Sequence, residues 1–154
     1  MAVLTEGSNA PEFTLPRDGN GSVSLSEFRG RKVVLYFYPK DDTSGCTAEA
    51  IAFTALADAF DKAGAVIIGM SPDSPKKHDK FIAKHELGVI LAADEEKATL
   101  QDYGVWVEKS MYGRKYMGVE RTTFLIDENG TIARIWRKVK VPGHAEEVLA
   151  AISG

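Results

Sequence analysis

The chain's only cysteine, Cys46, lies in the run Tyr38-Pro39-Lys40-Asp41-Asp42-Thr43-Ser44-Gly45-Cys46-Thr47-Ala48-Glu49, between a buried-strand pattern and a helix pattern. A thiol placed there falls in the first turn of a helix, where unpaired backbone N–H groups and the positive end of the helix dipole favour thiolate over thiol. The thiolate is the nucleophile, so the position predicts chemistry. A lone cysteine without such a setting is more often a small buried hydrophobe. Two other chemistries compete for the same residues. His78 and His85 fall seven residues apart on one predicted helix and His144 opens another, whereas a metal pair on adjacent turns needs a spacing of three or four. With no second cysteine, neither a metal nor another cofactor is expected. A cysteine hydrolase, pairing Cys46 with a histidine from elsewhere in the fold, is the remaining rival.

The elements that must position this cysteine are legible around it. Lys32-Val33-Val34-Leu35-Tyr36-Phe37-Tyr38 is a continuous run of β-branched and aromatic residues, the pattern of a central strand covered on both faces. From Thr47 to Lys62 the residues Ala48, Ile51, Ala52, Ala55, Leu56, Ala59 and Phe60 recur at helical spacing, which predicts one amphipathic helix starting near the cysteine. Ala65 to Met70 is a second buried strand, and Ser74-Pro75 is a helix start whose helix should stop near Gly88. Val89 to Ala92 reads as a short strand, Asp94 to Tyr103 as a short helix, and Val105 to Gly118 as an irregular segment rich in Trp, Tyr and Met that covers the site, forms a dimer surface or packs on the sheet. Thr122 to Asp127 and Thr131 to Trp136, joined by Glu128-Asn129-Gly130, predict a hairpin, with a last helix from His144 to Ile152. Before the first long strand, Gly7 to Pro16 reads as turn-rich and Ser22 to Leu25 as a brief strand. The sum is an α/β fold: a mixed central sheet with helices on both faces.

Composition sets the frame. With 154 residues and 44% apolar content, one domain spanning 1–154 is expected. A net charge of −3 gives no basic excess for nucleic acid or an anionic membrane. No stretch approaches the roughly 20 apolar residues of a membrane helix and no secretory layout opens the chain, so a cytoplasmic location is expected.

The pattern Pro39-x-x-x-Thr43-x-x-Cys46, with Arg121 before a strand, resembles the peroxiredoxins. Tyr38 to Thr43, Gly45-Cys46-Thr47-x-Glu49, Asn9-Ala10-Pro11-Glu12-Phe13, Gly69-Met70-Ser71-Pro72-Asp73 and Arg121 to Asp127 are similar to the bacterioferritin comigratory protein (PrxQ) branch, over nearly the whole chain. The resemblance implies a thioredoxin-like fold and reduction of hydrogen peroxide and organic hydroperoxides by a peroxidatic cysteine that becomes a sulfenic acid. On that reading Cys46 supplies the thiolate, and Arg121 stabilises it and polarises the peroxide. Thr43 hydrogen-bonds the peroxide oxygens, and backbone N–H groups near Gly45 add donors. Pro39 ends the strand and, in the resembling family, shields the sulfur from water. Glu49 alone would oppose a thiolate, so it is expected to pair with Arg121 and orient it.

The chain departs from the family's common pattern in one respect. Many PrxQ-like chains carry a resolving cysteine five residues after the peroxidatic one, where this chain has Ile51; others carry it in the following long helix, and Phe81 to Glu86 has none. The implied cycle is a one-cysteine mechanism in which thioredoxin, glutaredoxin or glutathione reduces the sulfenic acid. A Cys46–Cys46 disulfide between chains and a replacement of a former cysteine at position 51 are the alternatives; the apolar fit of Ile51 on the helix stripe argues against the second. A slow redox sensor of the same fold is the rival to an enzyme. The expected state is monomeric, with a dimer as the alternative.

Overall fold

The computed structural model describes residues 3–153. Its central strand is β3 (Lys32–Phe37), and the alternation of side chains along it builds both halves of the core. Val33, Leu35 and Phe37 pack on one face with Ile68, Met70, Tyr103 and Phe124, while Val34, Tyr36 and Tyr38 pack on the other with Cys46, Phe53, Phe60, Phe81 and Val148. Period-two alternation thus continues inside a run that is apolar throughout, as a strand buried on both faces requires.

Seven strands form the sheet in the order β2-β1-β5-β4-β3-β8-β9: β1 (Thr14–Arg17), β2 (Gly21–Ser24), β4 (Ala65–Ser71), β5 (Ile90–Ala93), β8 (Thr122–Ile126) and β9 (Ile132–Trp136) flank β3. β3 and β5 run parallel to β4, and β8 runs antiparallel to β3, so the sheet is mixed as expected. α1 (Ser44–Ala55), α2 (Ala57–Lys62), α3 (Pro75–His85) and α5 (His144–Ser153) place Phe53, Phe60, Phe81 and Val148 on the Cys46 face. The short α4 (Ala98–Asp102) places Leu100 on the other. Among the described residues no helix is long and apolar enough to cross a membrane.

The structure alters four local expectations. The helix expected over Thr47 to Lys62 is broken at Leu56, which leaves helical geometry at φ −104° and ψ 7°. The inward face of α1 is also rotated: Cys46, Glu49, Ala50 and Phe53 are buried and Ile51 is exposed. Alanines fit either face, so the aromatic ring of Phe53 and the ion pair of Glu49 decide the orientation. Ile51 therefore does not sit on the buried stripe, and its apolar fit no longer bears on whether it replaced a cysteine. The segment expected to be irregular is a hairpin of β6 (Trp106–Met111) and β7 (Arg114–Val119), joined through Tyr112 and Gly113 at φ 52° and 77°. Two successive positive φ values are the mark of the tight turn whose twist suits a hairpin. Finally, β1 begins at Thr14, inside the stretch read as turn-rich; it is a half-exposed strand carrying Pro16 at an exposed position. The helix start at Ser74 stands: its hydroxyl accepts from the Lys77 N–H at 3.2 Å, with Pro75 at the first helical position.

Candidate active site

Tyr38 leaves the central sheet with its amide still bonded to the Met70 carbonyl, and Pro39 turns the chain away towards α1. Thr43 is the residue before the helix, with φ −96° and ψ 157°. Cys46 is the third residue of α1, inside the turn whose N–H groups have no carbonyl one turn earlier to bond. Its side chain is only 2% exposed and packs in the aromatic half of the core.

Arg121 approaches the sulfur from the opposite wall. The residue immediately precedes β8, and the antiparallel register of β8 on β3, Thr122 against Phe37, carries it to the end of β3 from which the Cys46 loop departs. Its Nη2 donates to Cys46 Sγ at 3.4 Å and its Nη1 donates to Glu49 Oε1 at 2.6 Å. The expected Glu49–Arg121 pair is therefore present, and the same guanidinium touches the sulfur. Gly45 makes room for it, because a Cβ there would stand 3.2 Å from Nη2.

Glu49 is under tension. Burial pushes its carboxyl up to about 7, against the opposing pull of the Arg121 charge and hydrogen bond. Its second oxygen, Oε2, is buried with no hydrogen-bond partner, as is the hydroxyl of Tyr36. Buried polar atoms left this way are uncommon, and each calls for a physical reason.

Thr43 donates its hydroxyl proton to the Lys40 carbonyl at 2.8 Å. Thr43 is exposed, and its hydroxyl oxygen keeps the capacity to accept a further hydrogen bond. Pro39 is half-buried at the strand exit.

A second set of residues holds this loop, and sequence reasoning missed it. Asp41 accepts from the Tyr38 hydroxyl through Oδ1 at 2.6 Å and meets His78 Nδ1 through Oδ2 at 2.6 Å. The Asp41 amide donates to Asp73 Oδ2, which also accepts from the Ser71 hydroxyl, each at 2.8 Å. Asp42, at φ 61°, is bonded to Lys84 and His85 on α3. The available signal was the two-turn spacing of His78 and His85 opposite two successive aspartates. Among the described residues no group of acidic, histidine and cysteine side chains is arranged to hold a metal ion. None of the three histidines bonds the sulfur: His144 meets the Thr123 hydroxyl, and the other two meet Asp41 and Asp42. The geometry of a cysteine hydrolase is thus missing.

A cysteine at a helix start, an arginine against it and a mixed sheet of this topology agree with the peroxiredoxin class of thiol-dependent peroxidases, which the similarity to known proteins shows. The profile of the AhpC/TSA family matches residues 7–135, and the chain belongs to that family. Within it the similarity lies in the Bcp/PrxQ branch. The chain is 49% identical to a putative peroxiredoxin bcp of Coxiella burnetii, over 95% of this chain and 97% of the relative. It is 47% identical to peroxiredoxin Bcp of Bacillus subtilis, over 95% and 93%. Among solved structures, Xanthomonas campestris peroxiredoxin Q superposes with a TM-score of 0.88 at 46% identity, covering 92% of this chain and 89% of that one. A cysteine-to-serine mutant of Xylella fastidiosa PrxQ gives 0.94 at 37% identity, covering 99% and 98%. The thioredoxin-like peroxiredoxin fold follows.

Proposed function

We propose that Cys46 is the peroxidatic residue, that Arg121, Thr43, Glu49 and Pro39 form its site, and that the cycle is completed by a thiol from outside the chain. The observation that supports this reading best is the single guanidinium shared between Cys46 Sγ and Glu49 Oε1. Arg121 holds positive charge against the thiolate and presents it again to the O–O bond as that bond breaks. Glu49 keeps the guanidinium in place through the shorter of the two contacts. The Thr43 oxygen accepts the hydroperoxide O–H, and Pro39 closes the water side of the loop.

In the first step the sulfur lone pair attacks the terminal peroxide oxygen; an S–O bond forms, the O–O bond breaks, and the departing oxygen takes a proton to leave as water or an alcohol. Sulfur is oxidised to the sulfenic acid and the peroxide is reduced. An external thiol then displaces water to give a mixed disulfide, and a second thiol releases Cys46 and leaves as the external disulfide. Cysteine-to-serine mutants of the Xanthomonas campestris protein are solved at two different positions, whereas this chain has one cysteine, so the second sulfur must come from elsewhere. Alkyl peroxide reduction is ascribed to the Xanthomonas campestris bacterioferritin comigratory protein, which is 45% identical to this chain with a TM-score of 0.88. Alkyl hydroperoxides are accordingly proposed beside hydrogen peroxide.

The test mixes reduced protein with excess peroxide, with and without glutathione, glutaredoxin or thioredoxin, and follows peroxide loss and the mass of Cys46. Sustained loss that needs the donor and vanishes in Cys46→Ser is the expected result. Turnover that proceeds through a Cys46–Cys46 dimer would overturn resolution by an external thiol. Oxidation of Cys46 once per chain, with every donor failing, would replace that cycle with the sensor reading.

A further inference from the structure

His78 is wholly buried, yet both of its ring nitrogens lie against acceptors: Nδ1 is 2.6 Å from Asp41 Oδ2 and Nε2 is 2.9 Å from the Ala92 carbonyl. A carbonyl oxygen cannot donate, and the Asp41 carboxylate already accepts the Tyr38 hydroxyl on its other oxygen. With Asp41 as a carboxylate both nitrogens donate, which makes the ring an imidazolium, in keeping with the raised proton affinity of His78. Such a cation is expensive to bury unless every proton is engaged, and here every one is.

The next link runs through a single peptide unit. Asp41, fixed by His78 and Tyr38, sends its own amide N–H to Asp73, and the carbonyl of that same peptide group, Lys40 O, accepts the Thr43 hydroxyl proton. A peptide group is planar, so fixing the N–H direction fixes the C=O direction. The Thr43 hydroxyl, three residues before Cys46, thus bonds a peptide group whose Asp41 side chain is held by His78 on α3.

We infer that His78 is a positioning residue for peroxide reduction: as an imidazolium clamped between Asp41 and the Ala92 carbonyl, it locks the Lys40–Asp41 peptide and with it the Thr43 oxygen that receives the hydroperoxide. The groups facing it are Asp41 and Tyr38 from the loop, Asp73 from the turn after β4, and the Ala92 carbonyl from β5. Burial opposes its charge, but the bond to Asp41 and the charges of Asp41 and Asp73 raise its affinity for the proton above that of a free histidine. Loss of that proton at alkaline pH removes one donor and frees the loop. The inference rests on the assignment of Cys46 as the attacking residue; its first test below does not.

The first test is the nitrogen-15 spectrum of the His78 ring in the reduced wild-type protein. The expected pattern at neutral pH is that of a doubly protonated ring; a single neutral tautomer would overturn the proposal. The second is the pH profile of the rate constant for Cys46 oxidation. The wild type should show a falling alkaline limb that His78→Gln lacks, with a rate in the variant roughly tenfold lower near neutrality. In the near-isosteric Asp41→Asn the limb should move to lower pH because the counter-charge is gone. A wild-type rate and an unmoved limb in either variant that folds would overturn the proposal, and if neither folds the spectrum alone decides it. If Cys46 is not oxidised at all, the peroxidase assignment fails while the spectrum still reports on the clamp.

Discussion

Two buried ion pairs lie on the Cys46 side of the sheet, and they are finished to different degrees. In the Asp41–His78 pair both carboxylate oxygens and both ring nitrogens are engaged. In the Glu49–Arg121 pair one carboxylate oxygen has no partner, the carboxyl is pushed up to about 7 by burial, and the guanidinium divides itself between Glu49 and the sulfur. A fully satisfied pair fixes geometry; a partly satisfied one retains bonding capacity that a reacting group can use. On the proposed reading the first pair shapes the loop and the second faces the chemistry.

Breaking the reactive pair should have the largest effect. Arg121→Ala is expected to slow Cys46 oxidation at least about tenfold, the worth of one pK unit of stabilisation. It should also cost on the order of 3–5 kcal/mol in urea unfolding above neutral pH, because a buried carboxylate is left alone. Arg121 holds the Glu49 carboxyl down, so in the variant it takes up its proton above about 7, and the stability loss shrinks as pH falls towards neutrality. An unchanged rate would remove Arg121 from the site.

Breaking the satisfied pair comes next. Asp41→Ala leaves the Tyr38 hydroxyl and one His78 nitrogen without acceptors and is expected to lower stability by about 3 kcal/mol. Unfolding curves of the variant and the wild type at one pH would measure it. A loss much smaller than this would mean that the loop is held by Asp73 alone.

Glu49→Gln sharpens the contrast through pH. The folded protein binds the Glu49 proton more tightly than the unfolded chain, at about 7 against the 4.5 of a free glutamate. The resulting stability is fully present below about pH 4.5 and is lost as pH rises through about 7, an effect on the order of 3 kcal/mol. The variant should lack that slope. His78 has the same sign in the adjoining window: its contribution is complete below the pKa of a free histidine and falls as pH rises through its elevated folded value. Peroxide turnover unchanged in Glu49→Gln would rule out an orienting role.

The smallest effect belongs to the exposed Asp42–Lys84 contact at 2.8 Å. Lys84→Ala should leave the unfolding midpoint unchanged within error, since solvent-exposed pairs contribute little. A clear drop would show that Asp42, and not Asp41 alone, ties the loop to α3.

The parts of the fold legible in the sequence are those with strong local periodicity: β3 and β4 as continuous apolar runs, the Ser74-Pro75 helix start, and the late hairpin around Asn129-Gly130. The β6–β7 hairpin was not legible, because Glu108, Lys109, Ser110, Arg114 and Lys115 interrupt its apolar residues and most of it is exposed, with Tyr112 98% open at the tip. Without a buried face there is no alternation to read. The inward face of α1 is not legible for a related reason: its alanines carry little orienting energy, and of the two residues that orient it, Phe53 and Glu49, one is charged.

The sequence by itself determined the one cysteine, its place at the start of a helix, and the threonine and proline before it. All of these are local, set by side-chain type and by backbone rules that act within a few residues. Only the tertiary structure decided that Arg121 meets Glu49 and Cys46, and that His78 meets Asp41, because these partners are 72, 75 and 37 residues apart. Their contact depends on strand register and on how α1 and α3 pack against β3. Long-range charge pairing of this kind is settled by the geometry of the whole core, where desolvation makes each buried charge require a partner.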